Sequence, residues 1–377
     1  MKILYVHNVG LDSESANLVQ VRAMCKAIAG IGCDVVLSLP YYASDSNQNT
    51  FNTDGYQISF RHRRKPQNKF VKYLSGNLVQ KAIHDTKPDL IYVRNPLMLK
   101  QVNKFRIPII LELHNSMLHM GNRFLNYYWE FQLINMARKG LVSRIVCISK
   151  GLFDHWEQKG ISREIMLTAH DGIDKEMFKN QISLCEARRL LSLPETDKIV
   201  SYIGRLYEDR KIDDIIELAV SFPQVYFVIV GGPKSQADKY RTIAKDREIV
   251  NIRFTGQIPH SETPIYMFGS DVLLALWSKD VPTINYCSPL KVFEYMASGK
   301  VIIAHGFPTI KEVLVNGFNA ILIKPESYTD LKDNLQYALN FDSSLLGKNA
   351  RISVFENYTW EKRAQKILEP FINRSCN

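Results

Sequence analysis

This chain of 377 residues contains no uninterrupted apolar stretch of about 18 residues, so a simple membrane-spanning helix is not expected. The apolar start, Met1-Lys2-Ile3-Leu4-Tyr5-Val6-His7-Asn8, is too short for a secretory leader and reads as a strand. No Cys-x-x-Cys pair occurs among Cys25, Cys33, Cys147, Cys185, Cys287 and Cys376, and no histidine cluster lies beside them at metal-ligand spacing. Reduced, partly buried thiols of a cytoplasmic protein are therefore expected. The loop after the first apolar run, His7-Asn8-Val9-Gly10-Leu11-Asp12, lacks the Gly-x-Gly-x-x-Gly of dinucleotide-binding sites, which argues against an NAD-dependent oxidoreductase.

What is present in excess is positive charge. The formal net charge is +10, with a pI near 9.1. Such a surface suits nucleotide phosphates, nucleic acid or an acidic membrane face, and charge alone does not choose among them. No recognised nucleic-acid-binding motif is visible, so no nucleic-acid partner is expected.

Short β-rich runs alternate with longer amphipathic ones. Strands are expected at 2–7, 34–39, 57–61, 89–94, 108–113, 144–149 and 165–169, and helices at 16–30, 69–86 and 124–140. The pattern then restarts, with strands at 198–203, 225–230, 251–255, 271–276, 301–304 and 320–323. Helices are expected there at 212–221, 235–246, 289–298 and 328–340. The fold class is α/β, with two doubly wound parallel sheets in series and a boundary in the turn-rich 171–195 segment. Open sheets of this kind bind ligands just beyond the carboxyl ends of their strands.

Two segments carry recognisable chemistry. In Ser201-Tyr202-Ile203-Gly204-Arg205-Leu206-Tyr207-Glu208-Asp209-Arg210-Lys211 a strand ends at a glycine, which admits close approach to the backbone. Arg205 follows with a forked donor suited to phosphate, and Arg210 and Lys211 come just before a helix. In Ser288-Pro289-Leu290-Lys291-Val292-Phe293-Glu294-Tyr295-Met296-Ala297-Ser298-Gly299, Ser288 is expected as N-cap, Pro289 as first helical residue and Gly299 as C-terminal stop. Free N–H groups at that helix start suit a phosphate, and Lys291 and Glu294, three apart, share a face. Taken singly, the first is also read as a solvated loop and the second as a capped helix with an ordinary ion pair.

Together these segments resemble family 4 glycosyltransferases of the GT-B fold. The resemblance extends to the strand Val228-Ile229-Val230-Gly231-Gly232, to Phe254-Thr255-Gly256 and to Glu312 before Gly317. In the first half it rests on Ser15-Ala16-Asn17, Ile91-Tyr92-Val93-Arg94, Glu112-Leu113-His114 and His170-Asp171-Gly172-Ile173-Asp174, each weaker by itself. It implies two Rossmann-like domains facing a cleft: an acceptor-side domain over 1–180 and a nucleotide-sugar-binding domain over 181–377, the last helix crossing back to the first. It further implies a retaining transferase moving a sugar from a nucleotide-sugar donor to a saccharide or lipid-linked acceptor of cell-surface polysaccharide or glycolipid assembly.

Residue by residue, the resemblance implies that Gly204, Arg205 and Arg210 or Lys211 meet the donor diphosphate. Glu294 would hold the ribose hydroxyls, the backbone of Leu290 and Lys291 would meet the distal phosphate, and Ser288 would be among the substrate-binding residues. Asn17 and Arg94 would lie on the acceptor side, and His114 would face the transferred sugar. His114 read alone is a structural strand-end histidine, and Glu112, on the same strand face, is a weaker candidate. Two departures stand out. Tyr286 occupies the first position of the usual Glu-x7-Glu, with Asp280 the nearest carboxylate that could replace it, and Arg210-Lys211 stands where Lys-Gly is usual.

No Asp-x-Asp motif occurs, so neither a metal nor a cofactor is expected. The basic run 61–73 is read either as a solvated loop or as a contact for an anionic membrane surface, which would make the protein peripheral on the inner face. Most rings of the aromatic segment 124–131 are expected in the core, some lining an acceptor groove. The competing functions are a sugar-nucleotide epimerase of the same two-domain plan and a non-enzymatic basic nucleic-acid-binding protein.

Overall fold

The computed structural model describes residues 1–8, 16–41, 50–62, 76–116 and 123–372. The basic run falls almost entirely outside the described residues. The chain divides into two compact units: Met1–Asp171 with Trp360–Asn377, and Gly172–Thr359. Residues 172–180, assigned from sequence to the first domain, thus belong to the second unit.

Among the described residues the first unit is built on eight strands: β1 (Lys2–Val6), β2 (Asp34–Tyr41), β3 (Thr50–Thr53), β4 (Tyr56–His62), β5 (Leu90–Val93), β6 (Ile109–Leu113), β7 (Arg144–Cys147) and β8 (Met166–Thr168). Their order is β3-β4-β2-β1-β5-β6-β7-β8. All neighbours are parallel except β3, which turns back on β4 through Asp54 and Gly55, both at positive φ. That two-residue turn matches the twist of a hairpin, and Asp-Gly is a sequence that accepts it. The edge strand β3 was not expected from sequence, because its Thr-Phe-Asn-Thr is mostly polar.

The second unit has β9 (Lys198–Ile203), β10 (Val225–Val230), β11 (Ile252–Gly256), β12 (Val272–Ala275), β13 (Val301–His305) and β14 (Ile321–Ile323). They are parallel, in the order β11-β10-β9-β12-β13-β14. Side-chain alternation splits them between two cores. Ile203, Val228 and Val230 pack on one face of the sheet, and Val200, Tyr202, Phe227 and Ile229 on the other. Burial on both faces explains why these strands read as continuous apolar runs.

Strand order reverses between β1 and β5 in one sheet and between β9 and β12 in the other. Chain leaving two neighbouring strands there departs to opposite faces and leaves a crevice at their carboxyl ends. The C-terminal helix Trp360–Ile372 packs against helix Ala16–Gly30 of the first unit and buries Trp360, Arg363, Ala364, Ile367 and Leu368.

Two local expectations are corrected. Helix Leu290–Ser298 has Pro289, not Ser288, at its N-cap, with no side-chain capping bond. Pro289 is extended (φ −74°, ψ 116°), which places Ser288 one residue outside the helix, while Gly299 does terminate it at φ +73°. On helix Arg123–Arg138, Phe124, Tyr127, Tyr128 and Phe131 are exposed rather than in the core. The buried stripe is instead Asn126, Glu130, Leu133 and Ala137, spaced for one helix face, with Lys159 pairing the Glu130 carboxylate.

Candidate functional site

In the second unit the candidate residues gather where β9 ends. Gly204 has φ +153°, and its N–H donates to Val230 O at 2.9 Å. A Cβ on neighbouring Gly231 would lie 2.3 Å from Gly204 O, so only glycine fits there and the ends of β9 and β10 stay bare. Beyond them, Arg205 is exposed and donates from Nη1 to Tyr207 Oη at 3.1 Å. Arg210 ends a short 3-10 turn and pairs with Asp209 at 2.9 Å. Lys211 adopts φ +56° and pairs with Glu326. The two cations expected as alternatives thus already have different acidic partners.

Helix Leu290–Ser298 is fixed on the end of β9 by Tyr295, whose buried hydroxyl accepts from Ile203 N–H at 2.8 Å. That docking delivers Lys291 to Gly204: a Cβ on Gly204 would lie 2.8 Å from Lys291 Nζ. The amine sits 4.0 Å from the centre of the Tyr202 ring and 5.3 Å from that of Trp277. It is shut off from solvent and has no hydrogen-bond partner among the described residues. Burial, reinforced by the charge of Arg210, holds its pKa well below the usual lysine value, against the opposing pull of Glu294 and Asp209.

Glu294, one helical turn on, is 14% exposed at its side chain and meets His260 Nε2 through Oε1 at 2.6 Å. His260 lies on the 3-10 turn that follows β11. The bond to Glu294 raises the imidazole pKa although burial opposes it. Tyr286 is half-buried, its N–H on Thr283 O, and Ser288 is buried. Asp280 is exposed and accepts from Ser278 Oγ at 3.1 Å.

In the first unit, Asn17, Arg94 and His114 meet at the carboxyl ends of β5 and β6. Arg94 donates from Nη1 to Asn17 O at 2.7 Å and from Nε to His114 Nε2 at 2.7 Å. His114 Nε2 also faces Glu112 Oε1. One ring nitrogen serves one of these at a time, donating to Glu112 or accepting from Arg94. Glu112 is buried and also receives Tyr92 Oη and, at 3.0 Å, Arg363 Nη1. Gln20 completes the network, accepting from Arg94 and donating to Asp171.

The charges in this network set one another. Burial would raise Glu112, but Arg363, His114 and Arg94 hold it well below the usual carboxylate range. Burial and then Arg94 push His114 down to about 4, so its ring is neutral near pH 7. Burial, with Glu112 adding and Arg363 opposing, lifts Asp171 to about 7. Sequence reasoning missed Gln20, His260 and Arg363, which stand in no motif, and gave no role to Tyr92 and Tyr295, which stand inside two of them. Their signal is spatial.

Among the described residues no group of three or more His, Cys, Asp or Glu is placed to hold a metal ion, and no helix is long and apolar enough to cross a membrane. Cys25, Cys33 and Cys147 are buried free thiols, and Cys185 is exposed.

Comparison with known proteins fits this geometry. Residues 186–352 match the family described as glycosyl transferases group 1, and residues 19–177 match glycosyltransferase family 4. An uncharacterised glycosyltransferase of Methanocaldococcus jannaschii is 25% identical over 208 residues, covering 53% of this chain and 48% of that protein. The D-inositol 3-phosphate glycosyltransferase of Mycolicibacterium smegmatis is 24% identical over 207 residues, covering 54% of this chain and 46% of that protein. The matches thus span about half the length of these two relatives. Among solved structures, sucrose-phosphate synthase from Thermosynechococcus elongatus superposes with a TM-score of 0.76 at 16% identity, covering 100% of this chain and 99% of that one. Anabaena HepE, in complex with UDP and glucose, gives 0.74 at 18% identity, covering 98% of this chain and 99% of that one.

Proposed function

The chain belongs to the group 1, family 4-like glycosyltransferases, and we propose that it transfers a sugar, with retention and without a metal, from a nucleotide-sugar donor to a saccharide or lipid-linked acceptor of cell-surface polysaccharide or glycolipid assembly. The observation that carries this reading is the buried Lys291 amine, without a hydrogen-bond partner among the described residues, beside the bare backbone of Gly204. A buried cation without an anion costs free energy, and a diphosphate at the end of β9 would supply the missing charge. Support comes from HepE, whose crystal structure contains UDP and glucose.

In this reading the anomeric carbon–oxygen bond to the diphosphate breaks as the acceptor oxygen attacks from the same face. The acceptor's proton passes to the departing phosphate oxygen. Negative charge grows on the leaving group, so fixed cations act most strongly in the transition state. We assign that work to Arg205, with Arg210 or Lys211 second, and to the N-terminal N–H groups at Leu290 and Lys291, with Ser288 beside them. Glu294 takes the ribose hydroxyls. Neutral His114, oriented by Arg94 and Glu112, takes a hydroxyl of the transferred sugar. Tyr286 stands at the donor sugar in place of the usual glutamate.

We place the enzyme in the cytoplasm, peripheral to the inner membrane face. The net charge supports this, as do the exposed Phe124, Tyr127, Tyr128 and Phe131, which share one helix face. The test is incubation with a panel of nucleotide sugars and saccharide acceptors, with NMR of the product. The reading predicts a new glycoside whose anomeric configuration matches that of the donor. An inverted product removes the retaining mechanism. A donor sugar altered with no acceptor added points instead to the epimerase reading.

A further inference from the structure

Half of the Glu294 carboxylate is already in use within the protein. Oε1 is held by His260 Nε2 at 2.6 Å, and Glu294 has no other hydrogen-bond partner among the described residues. The two residues come from different elements, the turn after β11 and helix Leu290–Ser298. Each is held independently of the other. The His260 carbonyl accepts from Thr263 Oγ1 at 2.8 Å, and the turn is closed by Glu262 N–H on Pro259 O at 3.0 Å. The helix is held by Tyr295 on β9. A glutamate has three side-chain torsions, so a carboxylate tethered through one oxygen has lost most of the rotamer freedom that binding would otherwise cost.

We propose that His260 is a positioning residue for donor recognition, tethering Oε1 of Glu294 so that Oε2 is presented in a fixed direction to the vicinal hydroxyls of the donor ribose. The proposal rests on the reading of Glu294 as the ribose-binding carboxylate. The charged groups facing the imidazole are Glu294 itself and Asp174, the N-cap residue of helix Lys175–Lys179, and both favour an N–H on the ring. His260 thereby sets how strongly the site demands a ribose rather than how strongly it holds phosphate. Its side chain is 41% exposed on a surface turn, so replacing it leaves the cores untouched.

The experiment measures dissociation constants for UDP, GDP and ADP, each beside its 2′-deoxy form, with the wild type, His260→Ala, His260→Gln and Glu294→Gln. For whichever base binds, the wild type should prefer the ribonucleotide by about tenfold, the value of one charge-assisted hydrogen bond. In His260→Ala that preference should shrink to about threefold or less, through weaker ribonucleotide binding and unchanged deoxynucleotide binding. His260→Gln, which keeps a donor N–H, should restore most of it. A full ribose preference in His260→Ala, or equal weakening of both forms, overturns the proposal. A full preference in Glu294→Gln overturns instead the reading of Glu294 on which it rests.

Discussion

Arg363 in the last helix donates to Glu112 in β6 at 3.0 Å, and each side chain is only 3% exposed. The partners lie 251 residues apart in sequence. The C-terminal helix thus supplies the counter-ion for the carboxylate that faces His114.

Removing that counter-ion should leave the buried Glu112 charge to Arg94 alone, whose Nε is 3.6 Å from Oε1. Arg363→Ala should destabilise the first unit by about 3–5 kcal/mol, and adding Glu112→Gln should recover much of the loss. Urea unfolding of the three variants measures both. A loss below about 1 kcal/mol would mean that the pair does not hold the helix in place.

Asp171 and His114 should give opposite pH slopes. The folded pKa of Asp171 is raised from 3.8 to about 7, so the folded state binds the extra proton and stability from this group is lost as pH rises from about 4 to 7. The folded pKa of His114 is lowered from 6.5 to about 4, so its contribution is lost as pH falls through the same window. Asp171→Asn removes only the first term. Its stability relative to the wild type should therefore climb with pH by up to about 1.4 kcal/mol per unit between pH 4 and 7. Parallel stability curves for the two proteins would contradict this.

The strands were legible where burial on both faces writes a continuous apolar run. β9 and β10 begin and end where the pattern placed them, as do helices Ile212–Ser221 and Tyr328–Asn340. The hairpin strand β3 was not legible, because an edge strand needs no apolar run. In the sites, residues in short motifs after strands could be named in advance, among them Gly204, Lys291, Arg94 and His114. Their partners could not. Arg363 and His260 reach their carboxylates across the fold, and no local spacing records such a contact.

His114→Ala should lower transfer by roughly 10²-fold while leaving affinity for the bare nucleoside diphosphate within about twofold, as expected for a hydrogen bond used mainly in the transition state. Single-turnover transfer and calorimetric titration separate the two effects. An equal loss of nucleotide affinity would move His114 from the sugar to the nucleotide.

Lys291→Met should raise stability and weaken nucleotide binding together. Burial lowers the folded pKa of this lysine below its unfolded 10.5, so wild-type stability should rise with pH up to about 10.5, and the Met variant should lack that rise. At pH 7 the gain should be read as a higher melting temperature. A variant that melts lower while binding nucleotide normally would show that the amine serves packing alone.

The most direct test of donor binding by the second unit is calorimetric titration of a nucleotide-sugar panel into the wild type and Glu294→Gln. The wild type should bind at least one nucleotide sugar saturably, and the variant should lose roughly 1–2 kcal/mol, about tenfold. Equal affinity in both proteins, or no binding of any nucleotide sugar by the wild type, would contradict this.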